Sequence, residues 1–348
     1  MTSHKRNQTA GEVLLYYDPL YLEHITLPYH PDQPTRLEAI VNHLKQNGMW
    51  GLITHRSPDT TRYTEEYILE SIRRVHPDQH IDYIRRKAEE AEQANTTIAP
   101  FSDGGDTNVS GKTYTVALKA IAAAIDATDA VCNGNVSRAF SAARPPGHHC
   151  ERNRPMGFCV FNNIAVAARF AQHVHGIERV AIIDWDVHHG NGTQAIFYND
   201  PSVLYISVHQ YPHYPGTGSS DERGTGKAEG TTINFPLAAG ADEKKYERLF
   251  TEKIVPEIQK FSPGLLLISA GFDAHRDDPL GDMLLTGESF GLLTRILSDA
   301  SSVCGGKIVS LLEGGYNLNG LAESVDAHIR MLGGIHHNER SEIKDRTS

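Results

Sequence analysis

The chain has 348 residues, 39% of them hydrophobic and 22% charged, which fits one large α/β domain or two medium ones of an ordinary soluble protein. Its 33 Lys and Arg against 43 Asp and Glu leave a net charge of -10, which argues against direct nucleic-acid binding or an anionic-membrane surface and suits a cationic partner better. Four cysteines (Cys132, Cys150, Cys159, Cys304) lack CxxC spacing, which argues against a disulfide framework or zinc ribbon and points to a reducing, cytoplasmic setting.

No apolar run approaches the ~20 residues of a membrane span, and the N-terminus lacks the apolar segment of a secretory signal. In chain order, residues 12–17 (EVLLYY) read as the first strand. Leu37, Ile40, Val41 and Leu44 then recur at helical spacing over 34–47, with Pro34 suited to the first turn and Gly48 to the end. A short strand at 53–56 precedes helices at 64–75 and 78–94, and the charge run RRKAEEAEQ in the second reads as a solvated face. A loop over 99–111 (APFSDGGDTNVSG) leads into an apolar helix over 112–131, which the NGN at 133–135 stops.

The next strand is 137–143, followed by a helix over 162–175 with Gly176 as its C-terminal cap. Strands at 180–183 and 203–208 flank a short helix at 192–199. The glycines of the loop 214–230 neither follow a strand nor open a helix, so they do not form a dinucleotide motif. An amphipathic helix at 242–261, a strand at 265–270 (LLLISA), a helix at 286–304 and a strand at 308–312 come next. A last helix covers 319–332 with Asn319 as N-cap, and the polar end HHNERSEIKDRTS reads as a frayed terminus.

Strands and helices alternate without a linker or repeat, which predicts one parallel sheet with helices on both faces. In such sheets ligands sit outside the carboxyl ends of the strands. Polar bursts come directly after four of the strand-like runs. They are RPPGHH at 144–149, DWDVHHGNG at 184–192, GFD at 271–273 and EGGY at 313–316.

Within the second burst, Asp184, Asp186 and His188 stand at every second position, so a continuing strand would put them on one face. Carboxylates buried there need a cation or hydrogen bonds to compensate them. Asp186, His188 and Asp273 make a three-ligand set that leaves coordination positions open, as in a catalytic zinc site. Two carboxylates acidify a bound water less than imidazoles do, so a separate base is required, and His149 is the candidate. His148 beside it is tuned by a carboxylate, Asp184 being the best placed. Tyr316, in a glycine-rich turn, can donate to an oxyanion. Phe158 and Tyr214 either line an apolar channel or pack in the core.

RPPGHHC, GFCVFNN, DWDVHHGNGTQ, PGTG, SAGFDAHRDDPLG and EGGYN, in this order, resemble the zinc-dependent histone deacetylase superfamily, with HPDQPTRLEAI near the start also similar. The resemblance spans 12–333, leaving polar termini at 1–11 and 334–348, and Asn191 is similar to the class II and bacterial branch rather than class I. It implies an α/β arginase–deacetylase fold of a single domain, with an eight-stranded parallel sheet flanked by helices on both faces. It also implies hydrolysis of an acetamide on an amine.

The resemblance further implies zinc on Asp186, His188 and Asp273, with iron(II) a chemically reasonable substitute. His149 becomes general base and then acid, His148 with Asp184 an electrostatic partner, and Tyr316 the carbonyl polariser. Gly157, Phe158, Tyr214 and Gly315 become substrate contacts, and Asp103 or Asp106 holds the substrate backbone. A structural potassium ion is expected near Asp184, Asp186, His188 and Ser207. Acetyl-lysine in proteins or peptides is the expected substrate. The rivals are an acetylpolyamine or other small-amide hydrolase, an arginase-like enzyme, and a silent acyl-amine binding scaffold. Oligomeric state is not legible.

Overall fold

The computed structural model describes residues 13–101 and 103–335, so the polar segments 1–11 and 336–348 and the first residue of the expected opening strand lie outside the described residues. Eight strands form one all-parallel sheet: β1 (Val13–Tyr16), β2 (Thr54–Arg56), β3 (Arg138–Ser141), β4 (Val180–Asp184), β5 (Val203–Gln210), β6 (Thr232–Leu237), β7 (Leu265–Ala270) and β8 (Ile308–Leu312). Their spatial order is β2-β1-β3-β8-β7-β4-β5-β6. β4, β5, β7 and β8 are buried along their whole lengths, as strands covered on both faces are.

The cover comes from α1 (Thr35–Gln46), α2 (Glu65–Arg73), α3 (Asp78–Gln93), α4 (Thr113–Cys132), α5 (Asn163–His175), α6 (Asn191–Phe197), α7 (Glu243–Leu249), α8 (Val255–Phe261), α9 (Gly287–Ala300) and α10 (Leu318–Gly333). One group packs α1, α9 and α10 together; another packs α2, α4 and α5, and β3 is touched by both α4 and α10. The charge run on α3 faces water while Ala88 and Ala91 turn inward, as its pattern requires. No helix among the described residues is long and apolar enough to cross a membrane.

Four local readings change. β6 has no counterpart among the strands read from periodicity, because its sequence TINFPL contains Pro236 and comes after a glycine-rich loop. Proline fits there because β6 is an edge strand. The helix read over 242–261 is interrupted by a wider turn at Phe250–Ile254. The cap of α10 is Asn317, whose side chain accepts from Gly320 N–H at 2.8 Å, so the helix begins before Asn319. Finally β4 ends at Asp184, and Asp186 and His188 lie beyond it on irregular chain.

The sheet order positions the polar residues. β3, β8, β7 and β4 are consecutive neighbours. The four polar bursts extend from these four strands, so their carboxyl ends bring the bursts together along one contiguous edge.

Candidate active site

Asp186, His188 and Asp273 converge from the ends of β4 and β7, with one ligand atom from each within 4.8 Å of the others. His188 Nδ1 lies 3.0 Å from Asp186 Oδ1 and 3.0 Å from Asp273 Oδ2. The backbone aims both carboxylates: Val187 N–H donates to Asp273 Oδ1 at 2.7 Å, and Gly314 N–H to Asp186 Oδ2 at 2.8 Å. A Cβ on Gly314 would run into both carboxylates, so no side chain fits there. Burial and the Asp186 charge push the Asp273 carboxyl up to about 7. Burial opposes a charge on His188, yet its hydrogen bonds to Asp186 and Asp273 and their charges raise it to about 10. Two buried carboxylates that demand positive charge at the free atom of an imidazole are an O,O,N donor set that fits a divalent ion.

The two histidines from the end of β3 differ in protonation. His148 Nδ1 meets Asp184 Oδ2 at 3.1 Å, and that same oxygen accepts from Tyr205 O–H at 3.0 Å. Burial disfavours charge on His148, but Asp186, Asp184 and Glu313 together raise its pKa well above the ordinary value. His149 Nδ1 lies 2.9 Å from Asn191 Oδ1, while Asn191 Nδ2 donates to Glu151 at 3.0 Å. An amide oxygen only accepts, so Nδ1 carries the hydrogen and Nε2 keeps its lone pair. Burial, then the neighbouring His148 and His188, push the His149 pKa well below its usual value. Gly157, at φ +57, packs directly on the His149 ring, where a Cβ would collide.

A cavity of about 410 Å³ opens onto this cluster. His149, His188, Gly157, Phe158, Tyr214 and Tyr316 line it, and His30, Pro31, Asp106, Leu280 and Asp282 belong to the same lining. Phe158 meets Tyr316 edge-on at 5.7 Å, and Tyr214 meets His149 edge-on at 5.1 Å. Burial holds the Tyr316 phenol well above its usual range despite the Arg36 cation nearby, so it is an O–H donor at neutral pH.

Two expected substrate contacts, Asp103 and Gly315, stand outside the cavity lining, as does Ser207, expected near a potassium ion. Asp103 turns into its own loop, where Oδ2 accepts from Thr107 N–H at 2.9 Å, and Asp106 takes the place at the cavity. Gly315, at φ +116, offers its carbonyl to Arg36 Nε at 2.6 Å. Ser207 Oγ is bonded to His209 Nδ1 at 2.9 Å, opposite Asp184 in the β4–β5 register.

Sequence reading missed the supports behind the site. Arg36 bonds the carbonyls of both Glu313 and Gly315, and Glu313 accepts from Gly147 N–H at 2.7 Å and His148 N–H at 3.1 Å. Burial lifts the Glu313 carboxyl to about 7. The signal available was an arginine on the apolar stripe of α1. A second group, His76, His80 and Cys150, also lies close enough to share an ion. Its bonding argues otherwise: His76 uses Nδ1 on Arg152 O at 2.9 Å and Nε2 on Asn162 N–H at 2.9 Å, which leaves no lone pair.

Residues 30–332 match the family model described as the histone deacetylase domain. The chain is 39% identical over 331 residues to "Histone deacetylase 14, chloroplastic" of Arabidopsis thaliana, covering 93% of this chain and 78% of that protein. It is 38% identical over 301 residues to "Probable deacetylase" of Archaeoglobus fulgidus, covering 86% and 80%. The crystal structure of the HDA15 HD domain superposes with a TM-score of 0.84 at 36% identity, covering 94% of this chain and 89% of that one. The eight-stranded parallel sheet is therefore that of the arginase–deacetylase fold, and the activity is hydrolysis of amide bonds other than peptide bonds.

Proposed function

The chain belongs to the histone deacetylase family, and on that premise we propose that it hydrolyses the acetamide of acetyl-lysine side chains in proteins or peptides. The reading is carried by one juxtaposition. His188, bonded to Asp186 and Asp273 behind it, lines the same cavity as a neutral His149 and a protonated Tyr316. Residues 12–333 form the catalytic domain.

Asp186, His188 and Asp273 would hold zinc, or iron(II), which when bound supplies Lewis-acid polarisation of a carbonyl and a more acidic water. His149 does the proton work. With Nδ1–H committed to Asn191, its Nε2 takes a proton from the attacking water and delivers it to the departing amine nitrogen. Tyr316 donates to the carbonyl oxygen as negative charge grows there. His148, paired with Asp184, supports that charge from behind. Gly157, Phe158 and Tyr214 wall the aliphatic stem of the substrate and exclude water, and Gly315 sets the turn that presents Tyr316. Asp106, with Asp103 shaping its loop, accepts from the substrate backbone. Potassium bound near Asp184, Asp186, His188 and Ser207 would stiffen the end of β4. The four unpaired thiols suit a reducing compartment such as the cytoplasm.

The Asp106 and Asp282 carboxylates at the cavity favour a second reading, a small cationic acetylated amine such as an acetylpolyamine. Metal analysis with a hydrolysis panel separates the two. Acetyl-lysine peptides turned over faster than acetylated diamines, with about one divalent ion per chain, support the first reading. The reverse order of rates overturns it.

A further inference from the structure

Among the described residues, four other than glycine adopt a positive φ: Tyr29, Asn95, Phe158 and Ser262. Asn95 is of a type that tolerates this region, and Ser262 ends α8. The two bulky ones are Phe158, in the cavity wall, and Tyr29, at φ +65. One strained aromatic thus lies in the cavity wall and the other comes one residue before His30, which lines it, and such strain is characteristic of functional sites.

The Tyr29 side chain has no packing role that would justify the strain, since the residue is 97% exposed. It sits in a turn closed by His30 N–H on Leu27 O at 3.1 Å, with Pro28 and Tyr29 as the central pair. Proline followed by a positive φ is a pattern whose second central residue is ordinarily glycine or asparagine. The turn is also held firmly in place. Leu27 N–H donates to Asn108 Oδ1 at 2.8 Å, and His30 Nε2 bonds Asp106 O at 2.7 Å. The His30 ring packs edge-on against Phe158 at 4.5 Å.

Tyr29 directly precedes His30 and Pro31, both of which line the cavity. Ile25 and Leu27, at alternate positions before Tyr29, are 49% and 38% exposed, so the segment leading into His30 and Pro31 carries a strip of exposed apolar side chains along the chain. A small acylated amine that fits inside the cavity would not reach this strip. A polypeptide whose acyl-lysine fills the cavity must lay its neighbouring residues across the rim.

We propose that Tyr29 is a specificity-determining residue that packs on the polypeptide flanking the acylated lysine, favouring an apolar neighbour. This deepens the acetyl-lysine reading and rests on it.

The test compares Tyr29→Gly, Tyr29→Phe and the unaltered chain on two substrates. One is an acetyl-lysine peptide with an aromatic residue beside the lysine; the other is N-ε-acetyl-lysine amide without flanks. In Tyr29→Gly the ratio of kcat/KM for peptide over amide should fall about tenfold, through KM on the peptide, as loss of roughly 1.4 kcal/mol of contact implies. Its melting temperature should hold or rise, because glycine adopts this φ freely. Tyr29→Phe should keep the ratio. An unchanged ratio in Tyr29→Gly, or an equal fall on both substrates, overturns the proposal. An unaltered chain that hydrolyses only acetylated small amines overturns the acetyl-lysine reading, and this inference with it.

Discussion

Arg144 Nε donates to Asp32 Oδ1 at 2.7 Å, joining segments 112 residues apart inside the protein. Arg36 Nη1 bonds the same carboxylate oxygen at 2.8 Å, and its remaining donors hold the main chain of Glu313 and Gly315. Asp32, Arg36 and Arg144 are all fully buried. One carboxylate thus compensates two guanidinium groups and fixes the turn that presents Tyr316. Removing one member of such a group costs about 3–5 kcal/mol, because the partners stay buried without it. Asp32→Asn should lower the denaturation midpoint accordingly, measured by chemical unfolding.

Metal binding should be visible in stability as well as in activity. Buried Asp186 and Asp273 meet at His188 Nδ1, and a divalent ion would offset the repulsion between the two carboxylates only in the folded chain. At a free zinc concentration 100 times Kd, folding gains about 2.7 kcal/mol. Chelation should therefore lower the melting temperature and abolish hydrolysis, and added zinc should restore both. Asp273→Asn should melt at the same temperature with or without zinc.

Tyr316→Phe removes one donor to the developing oxyanion while keeping the edge-on contact with Phe158. A loss of about 10²–10³ in kcat is expected, with KM little changed. His149→Ala should lower kcat at least as far. Steady-state kinetics on one acetyl-lysine peptide checks both, and a variant with full kcat contradicts its role.

The partner of His149 sets where activity falls in acid. Asn191 offers a neutral amide oxygen, which stabilises the imidazolium less than a carboxylate does. Asn191→Asp should move the acidic limb of the kcat/KM profile to higher pH, by about one unit for each 1.4 kcal/mol of added stabilisation.

Acid should unfold the protein through histidines outside the cavity lining. Burial lowers His24, His76 and His328 to about 3 from the usual 6.5, with Arg144 adding to the effect at His24 and His80 at His76. Between those limits the unfolded chain binds more protons than the folded one, so stability rises with pH there. It is fully present above pH 6.5 and is lost as pH falls toward about 3. His328 is the cleanest probe, lying between Thr294 and Ser310 at 2.7 and 2.9 Å among aromatic rings. His328→Gln should flatten the slope of unfolding free energy against pH across this window.

By itself the sequence determined the class of fold and supplied the candidate residues of the site. Apolar runs of strand length alternate with helical periodicity, and these signals are local, so each side chain carries them without its partners. The polar bursts after four such runs named Asp186, His188, Asp273, His149 and Tyr316. An edge strand with a proline broke the local signal, so β6 escaped it. Only the tertiary structure decided that β3, β8, β7 and β4 are neighbours, because strand order depends on long-range packing that no short window records. The same holds for Arg144 on Asp32, Arg36 behind Tyr316, Asp106 rather than Asp103 at the cavity, and the strained, exposed Tyr29 beside the lining residue His30. Each is a contact or an exposure, fixed by where the folded chain brings distant segments together.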